Sequence, residues 1–119
     1  MRELDGILPD EMKNRGAWSG DELVLPYAEA LAAIGFATEH RIAVLGLESF
    51  EVRKDGFQPV DYTGYDRYIP FAGDWEAYVG SMNAEAEGWI KEHRLGENHG
   101  YILSSTSETE FARLPSRLK

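Results

Sequence analysis

Cysteine is missing from these 119 residues, which excludes a disulfide framework, a thiol nucleophile and any thiolate-bound metal. The glycines form neither G-x-G-x-x-G nor a Gly-Lys-Ser/Thr phosphate loop, and no serine lies in G-x-S-x-G. Nucleotide binding and a nucleophile elbow therefore have no motif behind them. Long apolar runs are missing too: nothing approaches the roughly 18 residues a membrane span needs. The opening stretch MRELDGILPDEMKN has an acid at its third position and no apolar core, unlike a secretory signal. A cytoplasmic setting is the expectation.

Basic residues are also scarce. Twelve Lys and Arg face twenty-one Asp and Glu, for a net charge of −9. Arg113, Arg117 and Lys119 follow the last acid, so the first 112 residues carry nine bases against all twenty-one acids, or −12. Such a field repels nucleic acid and anionic lipid, and steers a basic partner inward. It also serves solubility.

The composition, 43% hydrophobic and 12% aromatic, is that of a globular chain, and the length predicts one domain spanning residues 1–119. Pro9 with Asp10 and Glu11 predicts a short helix over 8–14, ending before Gly16. Tyr27, Ala30, Leu31 and Ile34 predict a helix from Pro26 to Ile34, stopped by Gly35. RIAVLGLESFEV (41–52) reads as a strand, apolar on both faces over 42–47 and so central. On strict alternation Glu48 shares a face with Ile42, Val44, Phe50 and Val52. Lys54-Asp55-Gly56 predicts an Asp-Gly turn into an antiparallel strand at 57–64, kept at an edge by Pro59.

Trp75, Tyr78, Val79, Met82, Ala86, Trp89 and Ile90 form one apolar stripe. They predict a helix over about 74–93 with Asp74 as N-cap and Glu76, Glu85, Glu87 and Lys91 outside. A strand at 100–105 and a helix at 108–113, opened by the capping box Ser107/Glu110, complete the chain. The fold class is α+β: a small antiparallel sheet with helices packed on it, in the order ααββαβα.

Candidate chemistry is sparse. His40, His93 and His99 lack the spacing of a helical metal pair, and no metal or cofactor is expected. Glu48, in mid-strand, needs a partner such as Arg41 or Arg53, or a place at the sheet rim. It is also a contact residue or an acid/base candidate. The stretch DYTGYDRYIPF (61–71) sets Tyr62, Tyr65 and Tyr68 three apart, with Asp61 just before them and Asp66 and Arg67 among them. Tyrosine offers a large contact area at small entropic cost, so this stretch reads as a recognition surface, or as rings covering the core edge.

Six segments belong together: Ile7-Leu8-Pro9, Trp18 before AEALAAI (28–34), IAVLG (42–46), the tyrosine stretch, the Trp-bearing helix and Tyr101-Ile102-Leu103. In this combination the chain resembles the immunity proteins of bacterial polymorphic-toxin systems, in particular the family called immunity protein forty. Glu48 keeps the strand's acid, while Leu47 replaces its second glycine. The resemblance implies an antitoxin rather than an enzyme, binding a cognate toxin protein and covering its active site. Asp61, Tyr62, Tyr65, Asp66 and Tyr68 would make the contacts, with Glu48 and Glu51 beside them. Two other readings remain open from the residues: a small hydrolase using Glu48 with His40 or His99, and a dimeric adaptor joined near Pro59.

Overall fold

Two long helices, lying side by side, pack against an antiparallel sheet built around a single long strand. The computed structural model describes residues 3–60 and 73–113, together with the backbone of 65–66. In chain order the elements are α1 (Glu3–Ile7), α2 (Asp10–Asn14), β1 (Ala17–Ser19), β2 (Glu22–Val24) and α3 (Tyr27–Glu39). They continue with β3 (Ile42–Arg53), β4 (Gly56–Pro59), β5 (Tyr65–Asp66), α4 (Trp75–Glu92), β6 (His99–Ser107) and α5 (Glu108–Ala112). The α+β class with a small antiparallel sheet holds. No described helix is long and apolar enough to cross a membrane.

β3 is the axis. β6 pairs with it antiparallel from Ile42↔Ser107 to Glu51↔His99, while β4 and β5 take successive stretches of its other edge. Burial on both faces of β3 over 42–47 matches the expectation of a central strand. A second small hairpin, β1–β2, turns at Gly20-Asp21 with Gly20 at φ 64, the positive φ found at the first position of type I′ and II′ hairpin turns. Leu25, just past β2, exchanges both backbone hydrogen bonds with Tyr101 at 2.8 and 2.7 Å, which joins this hairpin to the outer edge of β6. The approach is tight. A Cβ on Gly100 would lie 2.5 Å from Val24 Cγ1, and one on Gly16 2.6 Å from the Val24 carbonyl oxygen, so only glycine fits either place.

The main core lies between the sheet and the helices. Ala30, Ala33, Ile34 and Ala37 of α3 and Ala86 and Ile90 of α4 pack with Ile42, Val44, Leu47, Tyr101 and Leu103, and Leu4 and Leu8 close one side. A second cluster at the start of α4 joins Trp75, Tyr78, Val79 and Met82 to Ala43 and Phe111. There Trp75 stacks on Tyr78 at 5.3 Å and donates from its indole nitrogen to the Arg41 carbonyl at 2.7 Å.

Beyond β5, no strand among the described residues lies beside residues 42–44 of β3 on that edge, and α4 reaches it there. Asn83 takes the place of a strand. Its Oδ1 accepts from the Val44 amide at 2.7 Å, and its Nδ2 donates to the Ile42 carbonyl and to Thr38 Oγ1, both at 2.9 Å. Because buried backbone groups need partners, this one side chain lets a helix end the sheet.

Several sequence expectations hold at residue level. Asp74 caps α4, accepting from the Ala77 amide at 2.9 Å, and Ser107 with Glu110 makes both bonds of a capping box. Others are corrected. α3 runs through Gly35 to Glu39, because Ala37 is buried and Phe36 packs on the core; it stops only at Arg41, whose φ is 58. Pro9 is the N-cap of α2 rather than its first helical residue. The hairpin loop is Lys54-Asp55, since Arg53 pairs with Gly56, and of these residues Gly56 alone has positive φ. β4 ends at Pro59; of the strand expected at 57–64, residues 61–64 lie outside the described residues.

Candidate interaction surface

The position of Glu48 follows from one inserted residue. The β3–β6 register slips between Val44 and Gly46, a bulge that gives β3 one more residue than its partner and reverses its alternation. Before the bulge Ile42 and Val44 face the main core; after it Leu47 does. Glu48 therefore does not share a face with Ile42 and Val44, as strict alternation predicts, but turns to the opposite one. It is exposed there, and among the described residues no ion pair or hydrogen bond holds its carboxylate. The two arginines expected to pair with it are engaged elsewhere. Arg41 lies 4.0 Å from Glu108, and Arg53 3.2 Å from Glu51.

Cross-strand partners share a face, so the registers define what surrounds Glu48. Ile102 is opposite it on β6, and Phe50 lies two residues on, between Gly100 and Pro59. Val52 follows, opposite Phe57. Val52 is 45% exposed, Phe50 and Phe57 are half-buried, and Pro59 is exposed. The result is an apolar strip on a rigid sheet, headed by Glu48, whose carboxylate has no partner among the described residues. At its far end a cavity of about 260 Å³ opens between Val52, Phe57, Val24, Ala17 and Gly100, with Arg15 and Glu97 also in its lining.

Glu51 belongs to the other face. It stands opposite His99 and takes hydrogen bonds from the Arg53 guanidinium at 3.2 and 3.4 Å. Those bonds and the guanidinium charge hold its carboxyl below the usual value, with a smaller contribution from His99. Glu48 and Glu51 are therefore not brought together. Tyr65 and Asp66 stand at β5, opposite Leu47 and Gly46, which places that segment beside the Glu48 stretch of β3. Asp61, Tyr62 and Tyr68 lie outside the described residues.

The histidines serve local structure. His40 and His93 end α3 and α4 in the same way. Each stacks on the aromatic ring four residues back, on Phe36 at 4.0 Å and Trp89 at 4.5 Å, and each Nδ1 lies 2.9 Å from that residue's carbonyl oxygen. His99 Nδ1 faces the Gly96 carbonyl at 3.3 Å. His99, opposite Glu51, sits on the face of the sheet away from Glu48, so these two do not form a dyad. No group of three or more potential metal ligands occurs among the described residues.

A feature the sequence did not disclose is a groove of about 370 Å³ at the start of α3, lined by Pro26, Tyr27, Glu29, Arg94, Leu95 and His99. Arg94 lies over the Tyr27 ring at 4.3 Å, and Tyr27 meets Tyr101 edge-on at 6.3 Å. The sequence separation of Tyr27, Arg94 and His99 left no pattern to find it by. No protein-family model and no curated protein matches the chain.

Proposed function

We propose that this chain is an immunity protein that works in the cytoplasm, binding a toxin protein and covering its active site without catalysing a reaction itself. The observation that carries this reading is the open sheet face. An acid with no partner among the described residues and exposed apolar side chains sit on a stiff β-scaffold, where a surface meant only for solvent would carry mixed charge. Such an arrangement supports recognition by a rigid, preformed surface. The net charge of −9 supports fast capture of a basic partner. The segments shared with immunity proteins support the choice of a toxin as that partner.

The test is co-expression with the toxin domain encoded by the neighbouring reading frame. Growth should be restored, and a stable one-to-one complex should appear by size exclusion with light scattering. Continued killing with both proteins expressed, and no complex, overturns the proposal.

A further inference from the structure

The strip headed by Glu48 has a length and a polarity, and together they describe what it fits. Glu48 and Val52 are four residues apart on β3, about 13 Å of extended chain. At one end is a carboxylate without a partner among the described residues; at the other is the cavity of about 260 Å³ beside Val52 and Phe57. Between them the half-buried ring of Phe50 lies one face-step, about 7 Å, from Glu48. A carboxylate next to an aromatic ring is the pairing that favours a guanidinium or ammonium group, which gains a charge-assisted bond and a cation–π contact at once. The cavity, with Ala17, Val24 and Gly100 in its walls, suits an apolar side chain.

We infer that this face binds an extended segment of a protein partner carrying an arginine or lysine and, four residues away, a large apolar side chain. The cation meets Glu48 and Phe50, and the apolar group enters the cavity beside Val52 and Phe57. Charge complementarity selects this occupant, because Glu48 is the one charged residue that β3 itself places on that face between Gly46 and Val52, in a chain of net charge −9. A second copy of the same chain would bring Glu48 against another strongly acidic surface. The inference rests on the protein-binding reading above and adds the chemistry of the partner.

The experiment uses the whole isotope-labelled chain and the pentapeptide acetyl-Arg-Thr-Ser-Thr-Leu-amide as probe, followed by NMR titration. Saturable shifts should appear at the amides of Glu48, Phe50, Val52 and Phe57. Replacing the peptide's arginine by citrulline should weaken binding about five-fold, the upper range for an exposed ion pair. Glu48→Lys should remove binding, as should moving the leucine two positions closer to the arginine. Both Glu48 and Val52 are exposed, so Glu48→Lys and Val52→Asp should keep the fold, checked by an unchanged melting temperature. Shifts that map to the groove of Tyr27 and Arg94, persist in Glu48→Lys, or never saturate overturn the inference. The two proposals fail separately. Toxin protection untouched by Glu48→Lys with Val52→Asp refutes this surface and leaves the immunity reading standing. Peptide binding at Glu48 in a chain that gives no protection does the reverse.

Discussion

Replacing Asn83 by aspartate changes one atom group and tests how the sheet is closed. The amide accepts from Val44 and donates to Ile42 and Thr38, and it is 2% exposed. A carboxylate can still accept from Val44, but it has nothing to donate to the Ile42 carbonyl and sets a negative oxygen against it. An unsatisfied buried carbonyl costs about 1–3 kcal/mol, and an uncompensated buried charge adds to that. A loss of about 3–4 kcal/mol near neutral pH follows, a large share of the 5–15 kcal/mol typical of a domain. The loss must also depend on pH. Burial and the facing carbonyl both raise the aspartic acid's folded pKa above its unfolded value of about 3.9. The stability regained by protonation is therefore complete below the unfolded pKa and disappears as pH rises through the folded one. Urea unfolding of Asn83→Asp and the parent chain should show a gap near pH 8 that narrows towards pH 5. Asn83→Ala, which cannot titrate, should show a gap of constant size. A loss under about 1 kcal/mol, or a gap for aspartate as flat as that for alanine, would refute the role given to Asn83.

Three further outcomes are expected. Gly80 and Gly88 sit on the exposed side of α4, where an added Cβ would meet nothing within 4 Å; alanine at each should stabilise by about 0.5–1 kcal/mol in thermal or urea unfolding. Gly100→Ala places a methyl 2.5 Å from Val24 Cγ1 and should cost about 1–3 kcal/mol by overpacking, with hydrogen exchange fastest in the β1–β2 hairpin. The Glu51 carboxyl, held low by Arg53, should titrate nearer its ordinary value in Arg53→Gln when followed by NMR. Because its folded pKa is depressed, the contribution it makes is present above the unfolded pKa and is lost as pH falls through the folded one.

The elements legible in the sequence were those in which one stretch carries its own signal. The stripe from Trp75 to Ile90 gave α4, and the Ser107/Glu110 spacing gave the last cap, since helix periodicity and capping are local. Features that depend on distant chain were not legible. Gly35 reads as a stop, yet the burial of Ala37 against the sheet carries α3 past it. The β1–β2 hairpin is announced only by Gly20-Asp21, because its strands are three residues each. For the candidate surface, the acid was found and its face was not. Alternation assigns Glu48 inward, and the bulge after Val44, set by pairing with β6, sends it outward. Glu48 and Glu51, which the sequence grouped, both lie beyond the bulge and three residues apart, so alternation alone sets them on opposite faces.

The tie between Leu25 and Tyr101 also sets an order of events during synthesis. These two residues are 76 positions apart, and Glu3, whose amide lies 3.4 Å from the Glu110 carboxylate, is 107 positions from its partner. Contacts of such long range slow folding, since the loop between them must close first. The hairpin and α1 leave the ribosome early, but their contacts with β6 cannot form until that strand has been made. During that interval Leu4, Leu23 and Leu25, all buried in the finished protein, stay open to water and to other chains. The nascent chain is thus most exposed to chaperones and proteases at its N-terminal side, and its last strand ends that exposure.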